Sequence, residues 1–505
     1  MSVVKDNDSS MDSKYYFDNA NIFCLEGKYE EAIVYYNKAI ELDPNYTDAY
    51  NGRGKAKNDL GKYEDSIKDY DKAIELNPNN IDAYNNRGSV KNVLGKYEDS
   101  IKDFNKVIEL DPNNSAAYNN RGFAKDCLCK YEEAIKDYDK AIELDPNYSA
   151  AYNNRGFTKY YLDQYEEAIK DYDKVIELNP NDSYAYNSRG LAKGNLSLYE
   201  EAIKDYDKAI ELNPNNSSAY NDRGFTKYYL GQYEDSIKDF NKVIELTPNY
   251  TNAYYDRGNA KKKLGKYEEA IKDYDKAIEL YPNYSAAYNN RGSVKVYLGE
   301  YEEAIKDYDM AIELNPNYSA AYYNRGSVKA DLGEYEEAIK DYDKAIELDH
   351  NYTYAYNNRG LAKDYLGEYE EAIKDYDKAI ELDSDYSDAY NNRGIVKNVL
   401  GKYEDSIKDF NKVIELNPND SDAYYNRGTV KDVLGKYGEA IKDYDKAIEL
   451  NPNNGAFYNN RGVSKENLEE YNEALKDYKK ALELDPNYDI ARENIKEIQD
   501  KYGLK

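Results

Sequence analysis

The chain has 505 residues, 69 of them basic and 98 acidic, for a net charge of -29. Nucleic-acid phosphates and anionic membrane surfaces both need a basic face, so the sign argues against either as a partner. It leaves a basic partner, or one held by polar and aromatic contacts, and it keeps a long chain well solvated.

Residues 1–12 are polar and are expected to form a disordered tail. They hold no apolar stretch of the signal-peptide kind. No run approaches the roughly 18 apolar residues of a membrane helix. The three cysteines are Cys24, Cys127 and Cys129, an odd count that suits a reducing compartment and predicts a cytoplasmic protein. Cys127 and Cys129 lack zinc-site spacing and His partners, and the one histidine, His350, stands alone in a turn. No metal, cofactor or catalytic residue is expected, and the chain is read as not an enzyme.

From residue 13 the chain repeats. Pro44, Pro78, Pro112, Pro146, Pro180, Pro214, Pro248, Pro282 and Pro316 fall 34 residues apart; His350 and Ser384 take the next two rungs, and Pro418, Pro452 and Pro486 resume. A fixed period of this length marks a stacked array. Fourteen units span 13–488.

Residues 115–148 show one unit in order. Ser115 is expected to cap a helix of about thirteen residues. That helix ends near the fifteenth place, which is Gly in most units (Gly61, Gly95, Gly231) and Cys129 here. A second helix opens at Tyr131 with Glu132 and Glu133 in its first turn, where the helix dipole favours carboxylates. Tyr131, Ala134, Ile135, Tyr138, Ala141 and Ile142 form one apolar stripe. Asp145-Pro146-Asn147 stops the helix, since proline cannot continue it. Neither helix can bury its stripe alone, so the units must stack.

The pattern resembles the tetratricopeptide repeat. Its marks are an aromatic at the fourth place (Tyr118, Tyr152), Gly at the eighth (Gly122, Gly156) and Tyr at the seventeenth (Tyr131, Tyr165). Ala or Ser follows at the twentieth, Tyr or Phe at the twenty-fourth, and Ala or Val at the twenty-seventh. The resemblance implies an all-α, right-handed superhelical solenoid of about fourteen helix-turn-helix repeats, with the first helices lining a concave groove. The stretch from Asp489 is amphipathic, and 489–505 is read as a capping helix over the last seam.

Two places depart from the family. Arg fills the seventh place and Lys the eleventh in thirteen units. One reading is an anion-binding ladder. The other is structural, with the stems on Tyr rings and the heads paired to the Asp that recurs at the twenty-third or twenty-fifth place.

Places two, five, six, nine, twelve and thirteen share the opposite side of the first helix, the side that the resemblance assigns to the groove. Asn stands at the sixth place in Asn86, Asn120, Asn154, Asn290, Asn324, Asn358, Asn392, Asn426 and Asn460. Each carries a donor and an acceptor and is a candidate to hold an extended peptide backbone. This ladder resembles the one in the repeats of O-linked N-acetylglucosamine transferase. Repeat duplication is the plainer source, since 92–110 and 398–416 are identical. Ser188, Asp222 and Asp256 interrupt the row, and a second set of candidates lies there: Phe157, Tyr160 and Tyr161, then Phe225, Tyr228 and Tyr229, then Lys262 and Lys263. Aromatics beside cations suit a peptide with apolar anchors and an acidic group, and Gly194 and Asn195 between the two aromatic sets leave room for it.

The family's clamp for acidic chaperone tails needs cations at the second, fifth and sixth places. No three-unit window supplies them, which argues against dicarboxylate-clamp chaperone binding. His350 and Ser384, in units ten and eleven, are expected to soften the turns there. The function expected is a non-catalytic scaffold binding extended peptide segments. The alternatives are a recognition subunit for an enzyme encoded elsewhere, and a structural spacer.

Overall fold

The computed structural model describes residues 12–503, where 29 α-helices are the only regular elements. Apart from Asp12, the tail expected over 1–12 lies outside the described residues; Asp12 itself caps Ser13–Leu25 by accepting from Tyr15 N at 2.8 Å. From there a 13-residue helix and a 14-residue helix alternate through fourteen repeats, as in Ser115–Cys127 and Tyr131–Leu144.

The first helix is capped one residue earlier than the sequence suggested. Ser115 is already helical, and Asn114, extended at ψ 90°, accepts from Ala117 N at 3.0 Å. Asn80, Asp182, Asn216, Asp420 and Asn454 cap in the same way. The short amide or carboxylate of the preceding residue reaches the free N–H groups of the first turn. Where that residue is Tyr, as at Tyr148 and Tyr284, no side chain caps the helix.

Each first helix ends into a left-handed residue, glycine in most repeats (Gly61, φ 73°) but Cys129, Asp163, Ser197 and Glu469 in four. In the proline turns, Asp145 Oδ1 accepts from Asn147 N at 3.0 Å. The turns with His350 and Ser384 keep this bond, from Asn351 N to Asp349 and from Asp385 N to Asp383, both at 3.0 Å. Loosening there would come from the freed backbone torsion alone, not from a lost hydrogen bond.

Inside a repeat the core is small and tight. Ala117, Ala124, Ala134, Tyr138 and Ala141 are fully buried. Gly122 is required by close approach, because a Cβ there would lie 2.7 Å from Tyr138 Cε1.

The cationic places take the structural role. Arg121 Nε and Nη2 donate to the two oxygens of Asp137 at 2.9 and 2.6 Å, and Lys125 Nζ stands 2.9 Å from Oδ2. Arg121 Nη1 reaches back to Asn105 of the preceding repeat at 2.6 Å, and the guanidinium sits 5.3 Å above the Tyr118 ring. The same set recurs at Arg53, Arg155, Arg291 and Arg461. Burial opposes the charge of Arg189, but hydrogen bonds to Asp205 and Asp173 outweigh it and raise the pKa. These cations are spent on inter-helix pairing, so the anion-ladder reading does not hold.

The described residues up to Ala260 form one compact unit and those from Lys261 a second. Within each, first helices of successive repeats touch one another, as Ser115–Cys127 touches Ser149–Tyr161 and Ser319–Asp331 touches Thr353–Tyr365. In each unit they form one continuous layer of first helices. In the second unit, the helix Asp489–Tyr502 packs Ile498 against Ala474, Leu475 and Tyr478 of the last repeat.

Candidate functional site

The first helices carry the asparagine row. All nine predicted asparagines are half-buried. Most of them donate to the preceding repeat. Asn86 Nδ2 donates to Asn51 Oδ1 at 3.2 Å, Asn154 to Asn119 at 3.0 Å, Asn324 to Asn289 at 2.9 Å, and Asn392 and Asn426 to Asn357 and Asn391 at 3.2 Å. Asn358 and Asn460 donate instead to Tyr323 Oη and Tyr425 Oη, at 3.1 and 2.9 Å. Asn120 and Asn290 accept from the neighbouring Asn119 and Asn289 at 3.2 Å. The terminal helix continues the row through Asn494, which donates to Asn459 at 3.0 Å. The sequence reading missed Asn494 and the role of the fifth-place partners; the recurrence of Asn or Tyr at the fifth place was the available signal.

In each aromatic set the first and third rings pack on one another along their own helix. Phe157 and Tyr161 meet edge to face at 4.7 Å, and Phe225 and Tyr229 at 4.8 Å. All four rings remain exposed, whereas Tyr160 and Tyr228 are half-buried against Tyr165 and Tyr233. Between the sets, at Gly194 and Asn195, lies a cavity of about 650 Å³. Of the aromatic candidates, Tyr160, Phe225 and Tyr229 line it, while Phe157, Tyr161 and Tyr228 do not. The smallness of Gly194 creates the space: a Cβ added there would still be 3.7 Å from Tyr206 Oη. Asn195 Nδ2 donates to Tyr160 Oη at 3.0 Å and holds that ring at the cavity's edge.

The two residues that break the asparagine row, Asp222 and Asp256, also line the cavity. Burial raises both carboxyl pKa values. That of Asp222 is partly restored by Asn187 and Asn221, which donate to it at 3.1 and 3.3 Å. That of Asp256 is pushed up to about 7 by burial alone. Lys262 and Lys263 belong to the second compact unit; burial, then the charge of Lys263, lowers the Lys262 pKa.

Among the described residues no helix is long and apolar enough to cross a membrane, and no group of three or more His, Cys, Asp or Glu side chains could hold a metal ion.

The family profile described as Tetratricopeptide repeat matches residues 81–114, 115–148, 149–182, 183–216, 251–284, 319–352, 353–386, 387–420, 421–454 and 456–488. A further profile of that description matches 205–238 and 273–306, and one described as TPR repeat matches 20–58, 54–91, 226–265 and 292–333. No curated protein matches the chain. Among solved structures it is similar to the APC/C hetero-tetramer Cut9–Hcn1, at 16% identity over 96% of each chain with a TM-score of 0.42. It is similar also to yeast Tom70, at 20% identity over 80% of this chain and 92% of that one, TM-score 0.40. A third is YrrB, described as a TPR protein with an unusual peptide-binding site, at 26% identity over 36% of this chain and 95% of that one, TM-score 0.33. The repeating helix pair, its glycine–tyrosine contact and the profile matches together show that the chain belongs to the tetratricopeptide repeat family.

Proposed function

We propose that the chain is a non-catalytic, cytoplasmic scaffold that binds an extended protein segment along the face of its first helices. Its repeat family supports a protein-interaction role. The asparagine row carries the finer reading. Each bond to the preceding repeat fixes the orientation of an amide before any ligand arrives. Asn86, Asn154, Asn324, Asn392 and Asn426 each spend one N–H on that bond. A second N–H and the carbonyl oxygen are left to face a peptide backbone. Preorganised groups of this kind bind without a further ordering cost.

Alanine at these places would break the inter-repeat bonds and confuse stability with binding. Aspartate avoids this, because Asp222 shows that a sixth-place carboxylate is still bonded, accepting from Asn187. A variant with Asn86, Asn154, Asn324, Asn392 and Asn426 changed to Asp removes the donors; because burial raises the carboxyls of Asp222 and Asp256 at the same place, its stability to denaturant is measured beside its helicity and capture is run where it is fully folded. Partners captured from native lysate by the parent should be lost by this variant at unchanged helicity. They should be kept by a control carrying five added carboxylates on its second helices. Identical captures by parent and variant would exclude the row as the working surface.

A further inference from the structure

The cavity of repeats 5–8 is lined by two carboxyl groups and by no cationic side chain. Asp222 and Asp256 share its lining with Tyr206, Phe225, Tyr229 and Tyr250. It adjoins a second cavity of about 320 Å³ that shares Asn221, Asp222 and Tyr250. Asn187 Oδ1 and Asn221 Oδ1 are buried without a hydrogen-bond donor, and Asn187 is only 8% exposed. Buried acceptors left without a donor are costly, and here they lie in the walls of the two cavities, Asn221 in both and Asn187 in the smaller.

The chain itself shows what such a donor set holds. At each seventh-place Arg, a guanidinium lies over a Tyr ring at 5.3–5.6 Å and donates to side-chain oxygens of two second helices. Two carboxylates and tyrosine rings recur in the cavity with no guanidinium among them. We infer that this cavity takes an arginine side chain from an extended partner segment, its guanidinium between Asp222 and Asp256 and stacked on the tyrosines. Arginine suits the site because its planar fork supplies several donors at once and packs on aromatic faces. A cation there also offsets the burial that raises both carboxyl pKa values. The sign is opposite to the acidic ligand expected from Lys262 and Lys263, which do not line the cavity. It agrees with the chain's net charge of -29.

The inference rests on the scaffold reading and names the chemistry of one of its subsites. The test uses the full chain and four fluorescein-labelled, end-blocked peptides of Ala, Ser and Leu that differ only at a central Arg, Lys, norleucine or Glu. Anisotropy titration should show the Arg peptide binding at least tenfold tighter than the norleucine peptide. Asp222→Asn with Asp256→Asn should abolish that preference. Gly194→Tyr, which places in the cavity the side chain that Tyr160 and Tyr228 carry in the flanking repeats, should weaken the Arg peptide to the norleucine level; circular dichroism confirms that both variants fold. Equal binding of all four peptides would overturn the arginine site and leave the scaffold reading standing. Tightest binding of the Glu peptide, equal binding of Lys and Arg, or a preference that survives the double Asn variant would each overturn it as well. No binding by any peptide would count against both readings.

Discussion

Asp375→Ala removes the carboxylate that holds two cations in the seam of the eleventh repeat. Arg359 Nε and Nη2 donate to Asp375 at 3.0 and 2.5 Å, and Lys363 Nζ does so at 2.8 Å. The carboxylate side chain is 5% exposed, that of Arg359 17% and that of Lys363 15%. Truncating one partner of a buried pair costs about 3–5 kcal/mol, because the other charge stays behind in a poor solvent. Arg359 keeps its bond to Asp343 at 2.6 Å and its place 5.4 Å above the Tyr356 ring, which pulls the cost to the lower end. A loss of about 3 kcal/mol is expected, confined to the eleventh repeat and its neighbours because each repeat touches little else. Hydrogen exchange read by mass spectrometry should show protection in 353–382 falling roughly 100-fold, with repeats 1–7 unchanged. Replacing the trio together by Arg359→Met, Lys363→Met and Asp375→Leu should recover most of the loss, since the desolvation cost leaves with the charges. Exchange in Asp375→Ala within about threefold of the parent would refute the reasoning, because that is the scale of a surface pair.

Gly360→Ala would put a Cβ 2.8 Å from Tyr376 Cε1 and 3.2 Å from the Ala372 carbonyl oxygen; overpacking of this kind costs about 1–3 kcal/mol, and unchanged local exchange would contradict it. Cys129→Gly relieves a left-handed residue at φ 56° and should raise stability to denaturant by about 1 kcal/mol, so a destabilised variant would count against strain at that turn. Asp256 has a folded pKa of about 7, above the usual 3.8, so the fold favours its neutral form. The stability linked to that form is complete below about pH 4 and is lost as the pH rises through about 7. Asp256→Asn should therefore stabilise repeats 7 and 8 above about pH 8, by at most about 4 kcal/mol, and make no difference below about pH 4. A difference independent of pH in denaturant titrations would refute the shift.

The helix pairs, their lengths and the buried stripe were legible in the sequence because they follow from short-range periodicity. Fourteen copies of Tyr131-like and Tyr118-like places leave little ambiguity about which faces turn inward. The caps were misread by one residue because Ser115 and Asn114 are both good capping types and only the backbone geometry decides between them. The asparagine row was visible, but its bonds to the preceding repeat were not. Asn154 meets Asn119 across 35 residues of sequence, a contact that exists only once the repeats stack at a set spacing.

The same division holds for the candidate sites. The sequence by itself determined the array, the structural neutralisation available to Arg and Lys, and the places where the face of the first helices changes character. Stacking alone decided which of those places enclose space. Gly194 became the mouth of a cavity because Tyr160 and Phe225 of the flanking repeats arrive on either side of it. Asp222 and Asp256 line one cavity because successive first helices carry the same place along one face. The physical reason is range: helix formation is read within a few residues, whereas burial, orphaned acceptors and the raised Asp256 carboxyl depend on atoms brought together from four repeats.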